Sequence, residues 1–299
     1  MAIRRTDLAL EAHQLQLEER AGALSGVISR ESTREGFPVT TVEVRSESAA
    51  RALGKEVGRY VTLELDGLLR RETDAFPRAV EALSAELQTL LPVEEGAPVL
   101  LVGLGNRAIT PDLLGPLALE HTLVTRHLVT GAPEHFGGYR PVSAITPGVL
   151  SSTGMESAEI AAAVTSALRP ACVVAVDALA ARSLSRVCRT VQLSDTGITP
   201  GSGVGNHRSA LNAATLGVPV LTVGVPTVVD GATLALDILA QAGREELDPD
   251  ALAGQGADVF VTPREIDTQV ADLAKVVGYA LSMALNPHLT VDDLMMLLE

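Results

Sequence analysis

Short apolar runs, each closed by Gly, Pro or a charged residue, alternate along this chain with longer stretches in which apolar positions recur every three or four residues. The runs predict strands near 38–44, 59–64, 98–103, 171–177, 189–194 and 218–224. The recurrences predict helices near 75–91, 111–126, 156–168, 178–188, 229–243 and 264–285. Val99-Leu100-Leu101-Val102 and Val173-Val174-Ala175-Val176 are apolar at every position, as strands covered on both faces are. Such alternation predicts an α/β fold with a mainly parallel or mixed sheet flanked by helices. No Pro/Ser-rich linker and no internal repeat divides the chain, so residues 1–299 are expected to form a single domain.

Two of these strands end on candidate chemistry. Gly103-Leu104-Gly105-Asn106 turns the chain out of one strand and Thr110-Pro111-Asp112 opens the next helix, with Thr110 as N-cap, Pro111 at the first helical position and Asp112 in the first turn. The helix dipole there favours a charged Asp112. Ala171-Cys172-Val173-Val174-Ala175-Val176 runs directly into Asp177, and burial at the end of so apolar a strand favours a neutral carboxyl. Ligands of α/β sheets bind at strand ends, and the 65 positions between the two aspartates leave room for a right-handed crossover that brings both to one rim. A pair with opposite tendencies can divide acid and base duties, Asp112 activating a water and Asp177 donating a proton, although reversed roles fit the residues almost as well. Plainer readings stand beside these: Asp112 as an acid that stabilises its helix, Asp177 as the N-cap of a helix starting at Ala178.

Composition narrows the function classes. With 23 Lys and Arg against 37 Asp and Glu the formal charge is −14, which repels phosphate backbones, and the absence of Trp with only four Phe and three Tyr leaves little to stack on bases. Nucleic-acid binding is therefore not expected, and no apolar run is long enough to predict a membrane span. The two cysteines, Cys172 and Cys188, lack metal-type spacing and are expected to be reduced thiols of a cytoplasmic protein. No Gly-X-Ser-X-Gly elbow is present, and His121 and His127 lie too far apart to share a helical face as a zinc pair. Gly201-Ser202-Gly203-Val204-Gly205-Asn206 lacks the Lys-Ser/Thr of a phosphate loop and reads as a flexible glycine loop. The apolar C-terminal stretch Val291–Glu299 reads as packing on its own domain, with an assembly contact as the alternative.

Motifs spread over nearly the whole chain are similar to one known family. Arg5-Thr6-Asp7-Leu8-Ala9, Gly58-Arg59-Tyr60-Val61-Thr62-Leu63-Glu64, Val102-Gly103-Leu104-Gly105-Asn106, Thr110-Pro111-Asp112-Leu113-Leu114-Gly115-Pro116 and Asp177-Ala178-Leu179-Ala180-Ala181-Arg182 lead the match. Pro200-Gly201-Ser202-Gly203-Val204-Gly205-Asn206, Gly224-Val225-Pro226-Thr227-Val228-Val229-Asp230 and Val261-Thr262-Pro263-Arg264-Glu265-Ile266-Asp267 extend it. The chain resembles the germination proteases of spore-forming bacteria. That resemblance implies an atypical aspartic endopeptidase acting on small acid-soluble spore proteins in the spore core, homotetrameric, and with a fold like the hydrogenase maturation proteases. It implies Asp112 and Asp177 as the catalytic residues and no cofactor. Those maturation relatives use a carboxylate at the same corner with a metal, so a metal-dependent peptidase is the alternative, and an inactive binding relative is a third. Members of the family carry a short propeptide cut just before the segment matching Ile3-Arg4-Arg5-Thr6-Asp7, whereas Met1 stands almost at that junction here, so control by propeptide removal is not expected. The stretch from Ile238 to Phe260 is also shorter than the insertion the family carries there.

Overall fold

The computed structural model describes residues 6–20, 24–202, 208–242 and 259–298. Among them are the strands β1 (Val27–Arg34), β2 (Phe37–Val44), β3 (Gly58–Glu64), β4 (Val99–Gly103), β5 (Val142–Ile145), β6 (Cys172–Ala181), β7 (Thr190–Ser194), β8 (Val220–Asp230) and β9 (Phe260–Val261). They join one mixed sheet in the order β1-β2-β3-β7-β8-β6-β4-β5, with β9 paired to β8. The segment β8-β6-β4-β5 is parallel, and β7, β3, β2 and β1 extend it antiparallel. The predicted mixed sheet with helices on its faces is thus present.

Side-chain alternation along β4 builds two cores. Val99 and Leu101 join the larger one, which includes residues of the helices Ala75–Leu90, Leu114–Glu120 and Ile266–Leu285. Leu100 and Val102 face the smaller core with Ala158 and Ala161 of the helix Ser157–Leu168. The chain leaves β4 for β5 on one side and returns to β6 on the other. Right-handed crossovers in opposite directions put their helices on opposite faces, so the C-terminal ends of β4 and β6 flank a topological switch point.

Several expected elements differ. Residues 178–188 do not form the predicted helix: β6 continues to Ala181, and only Leu184–Arg186 make a 3-10 turn. The Ala- and Leu-rich sequence has high helix propensity, but β8 pairs with it from Asp177↔Gly224 to Ala181↔Val229, and those ladder bonds override it. The N-cap reading of Asp177 falls with that helix. β8 likewise runs to Asp230, six positions past the predicted end, and the following helix, Gly231–Gln241, starts where Asp230 Oδ1 accepts from the Thr233 amide at 2.8 Å. The helix predicted over 111–126 is divided into a 3-10 turn at Thr110–Asp112 and a helix at Leu114–Glu120, with Arg126–Gly131 forming a separate one. β1, β5 and the helices Ala9–Arg20 and Glu47–Leu53 were not predicted. The C-terminal helix Val291–Leu298 buries Val291 and Leu294 in the larger core and leaves Met296 and Leu297 exposed. Residues 203–207, which carry most of the glycine loop, and 243–258, which hold most of the short insertion, lie outside the described residues.

One close approach sets the geometry at the end of β4. Gly115, in the first turn of the helix Leu114–Glu120, lies so near the sheet that a Cβ there would stand 2.2 Å from Leu104 O and 2.5 Å from Val176 O. Both obstacles are backbone and cannot swing aside. Gly115→Ala should therefore destabilise the protein by about 3 kcal/mol or more, read as a fall in the urea midpoint. A midpoint equal to wild type would mean that the helix can lift off the sheet without cost.

Candidate active site

Sequence and backbone geometry bring the two predicted aspartates together. After β4, Leu104 N–H still donates to Val176 O at 2.8 Å, continuing the ladder by one bond. Gly105 then turns away with φ of 125°, where any Cβ would collide with Asp112 O. The loop folds back on itself: Asn106 Oδ1 accepts from Ala108 N–H at 2.9 Å, Asp112 N–H donates to Ile109 O at 2.9 Å, and Asn106 N–H donates to Asp112 Oδ2 at 2.8 Å. Asp112 is held at the rim by its own loop.

Asp177 approaches from below. β4 ends opposite Val176 while β6 runs on, so Asp177 is the first residue of β6 without β4 beside it. Strand alternation puts its side chain on the side of Val173 and Ala175, where the smaller core gives way to a cavity of about 340 Å³. Asp112, Asp177, Ile109, Leu150, Arg208 and Phe260 are among its lining residues. Asp177 is 5% exposed, and its Oδ1 accepts from Ala178 N–H at 2.9 Å.

Electrostatics separates the two carboxyls by degree. Burial, then the charges of Asp112 and Asp7, hold Asp177 well above the ordinary carboxylate value, against the one amide bond from Ala178. Burial also raises Asp112, with the Asn106 amide acting the other way. The expected neutral tendency of Asp177 is present, whereas the charged tendency expected for Asp112 is opposed by burial. Its helical turn is three residues of 3-10 helix, too short for a macrodipole to outweigh desolvation.

A third carboxylate, Asp7, lines the same cavity and was not among the predicted site residues. It stands 170 positions from Asp177 with no strand end or glycine turn to flag it, and its only signal is membership of the Arg5-Thr6-Asp7 block. Pro200, Gly201, Arg208 and Ser209 also line the cavity, so the glycine loop borders the cleft on both sides of the residues not described. Arg208 pairs with Glu156 across the mouth at 3.5 Å. His127 lies exposed on the helix Arg126–Gly131, away from this cavity. Cys172 and Cys188 are buried free thiols, pushed up to about 11 and about 12 chiefly by burial. Among the described residues no three His, Cys, Asp or Glu side chains form a metal-binding set, and no helix is long and apolar enough to cross a membrane.

An α/β sheet with two desolvated carboxyls sharing a cavity at its switch point defines a site equipped for acid–base hydrolysis. The profile of the germination protease family, peptidase family A25, matches residues 2–245. A germination protease of Caldanaerobacter subterraneus subsp. tengcongensis is 40% identical over 320 residues, covering 99% of this chain and 98% of its own. Those of Clostridium tetani and Bacillus cytotoxicus are each 38% identical, covering 97% of this chain and 98% and 95% of theirs. The chain belongs to the germination protease family and is a peptidase.

The burial of Asp177 makes stability depend on pH. Below the ordinary value of 3.8 the carboxyl is protonated folded or unfolded and costs nothing. As pH rises toward the raised folded value, the unfolded chain gives up its proton freely and the native state does not, so stability falls. Asp177→Asn, which keeps the acceptor for Ala178 N–H, should raise the melting temperature at pH 7 and change it little at pH 3. Equal shifts at both pH values, or a loss at pH 7, would show that Asp177 is not held neutral by the fold.

Proposed function

We propose that this protein is an endopeptidase that hydrolyses small acid-soluble spore proteins during germination, with Asp112 and Asp177 as its catalytic pair. The observation that carries the site assignment is their convergence on one cavity, with Asp177 nearly inaccessible and its proton affinity raised by burial and then by its neighbour. Like charges in a dry site favour a single shared proton, and Asp177, the more buried of the two, is its better holder.

The reaction follows from that distribution. Ionised Asp112 takes a proton from a water whose oxygen attacks the scissile carbonyl carbon, while Asp177 gives its proton to the carbonyl oxygen. The neutral tetrahedral adduct collapses as the proton now on Asp112 passes to the leaving nitrogen and the C–N bond breaks. Asp177 recovers a proton from the hydroxyl that becomes the new carboxyl group, restoring the pair. Ile109, Leu150 and Phe260 give the cavity an apolar rim beside the carboxyls.

We take the enzyme to be a single-domain homotetramer of the spore interior with the hydrogenase maturation protease fold, supported by the family membership and by the glycine turn and carboxylate at the end of β4. Its charge of −14 disfavours binding to DNA, so substrate recognition rests on short-range contacts with spore protein already released from the nucleic acid.

Purified enzyme should cut a small acid-soluble spore protein at discrete sites in chelator-containing buffer, as read by mass spectrometry of the products. Asp112→Asn and Asp177→Asn should each lower the rate roughly 10²–10⁴-fold. Loss of wild-type cleavage in chelator with recovery on adding a divalent metal would replace this mechanism with a metal-dependent one. Substrate binding without cleavage would identify a binding relative.

A further inference from the structure

We propose that Asp7 is a positioning residue for Asp177, its carboxylate fixing the free edge of β6 and setting the negative potential in which Asp177 works. The inference rests on the reading of Asp177 as proton donor.

The geometry starts from the missing neighbour. Past Val176, β6 has no β4 beside it, and the N-terminal segment takes up the vacated edge. Asp7 N–H donates to Ala180 O at 2.9 Å, and Asp7 Oδ2 accepts from Ala180 N–H at 2.8 Å, so one residue satisfies both backbone groups of Ala180. Asp7 Oδ1 accepts from Ser202 Oγ at 3.0 Å, which ties the glycine loop to the same carboxylate. The main chain of Asp7 is pinned as well: its carbonyl accepts from Lys55 Nζ at 2.8 Å and from Gln192 Nε2 at 3.2 Å. Glu11, in the first turn of the helix Ala9–Arg20, accepts from the amides of Arg182 and Ser183 at 2.7 and 3.1 Å and holds the rest of the edge. Both carboxylate oxygens of Asp7 are thus engaged while its main chain is fixed.

Charge gives that lock a chemical consequence. The groups facing Asp177 are Asp112 from the 3-10 turn, Asp7 from the N-terminal segment, and Arg208 with its partner Glu156 across the cavity. Lys55 and Glu11 stand behind Asp7, and Lys55 spends its bonds on the carbonyls of Thr6 and Asp7 rather than on the carboxylate. Among the described residues no cation lies within ion-pair distance of the Asp7 carboxylate, and its charge raises Asp177 after burial and the charge of Asp112. Without that charge the proton on Asp177 leaves at lower pH.

A purely structural Asp7 would alter stability but not the proton affinity of Asp177, and the two are separable. Carboxyl-carbon NMR of ¹³C-labelled enzyme follows the titration of Asp177 in wild type, Asp7→Asn and Asp7→Glu, alongside pH profiles of kcat/KM on a spore protein. Asn keeps an acceptor for Ala180 N–H and loses the charge, so the titration and the alkaline limb of activity should both move to lower pH. Glu keeps the charge and should return both toward wild type, with kcat/KM at the optimum within about tenfold in each variant. An Asp177 titration at the same pH in Asp7→Asn as in wild type overturns the inference, as does an equal displacement in Asn and Glu variants. A titration that moves while the alkaline limb stays put shows that Asp7 sets the charge state of Asp177 but overturns the proton-donor reading on which its catalytic role rests. Should Asp7→Asn fail to fold, an unmoved titration in Ser202→Ala beside a displaced one in Asp7→Glu would count against it, because the first keeps the carboxylate in place and the second keeps its charge.

Discussion

Desolvation of a carboxyl at the point where the sheet runs out of neighbours is the constraint on which the rest of this site depends. β6 is paired on both sides up to Val176 and on one side only from Asp177 onward. In the doubly paired part of that strand Val173 and Ala175 face packed core, where a polar side chain would be left without partners. At Asp177 the core ends and a cavity begins, so the carboxyl is buried enough to keep a proton and open enough to pass it to a ligand.

The contacts around that position hold the arrangement rigid. The Gly115 contact clamps the helix Leu114–Glu120 onto Leu104 and Val176, which fixes the 3-10 turn and Asp112 over the strand. The Asn106 amide restrains the Asp112 side chain from its own loop. On the opposite flank the N-terminal segment occupies the edge that β4 leaves free, through Asp7 and Glu11. Burying Asp177 and Asp112 beside one cavity costs stability, which the protein exchanges for reactivity.

Much of this was legible in the sequence, for identifiable reasons. β4 and the first half of β6 announce themselves because every residue from Val99 to Val102 and from Val173 to Val176 is apolar, and the glycine turn after β4 marks Asp112. The second half of β6 was misread as helix because Ala178-Leu179-Ala180-Ala181 has helix propensity, while the forces that keep it extended come from β8 and from Asp7, distant in the chain. β1 was illegible because Val-Ile-Ser-Arg-Glu-Ser-Thr-Arg is an exposed edge strand with no apolar face to set a period. Asp7 could not be placed for the same reason that makes it effective: it acts across the fold, through bonds that no local pattern encodes.

The central claim is that the carboxyl pair holds a proton at neutral pH and that Asp177 carries it. Infrared spectroscopy with isotope-labelled aspartate reads this directly, since a protonated carboxyl stretches at a frequency well separated from that of a carboxylate. At pH 7 the wild-type enzyme should show a protonated aspartate band that is lost in Asp177→Asn and persists in a control remote from the cavity such as Asp267→Asn, on the exposed first turn of the helix Ile266–Leu285. A wild-type spectrum at pH 7 containing only carboxylate bands would contradict the account.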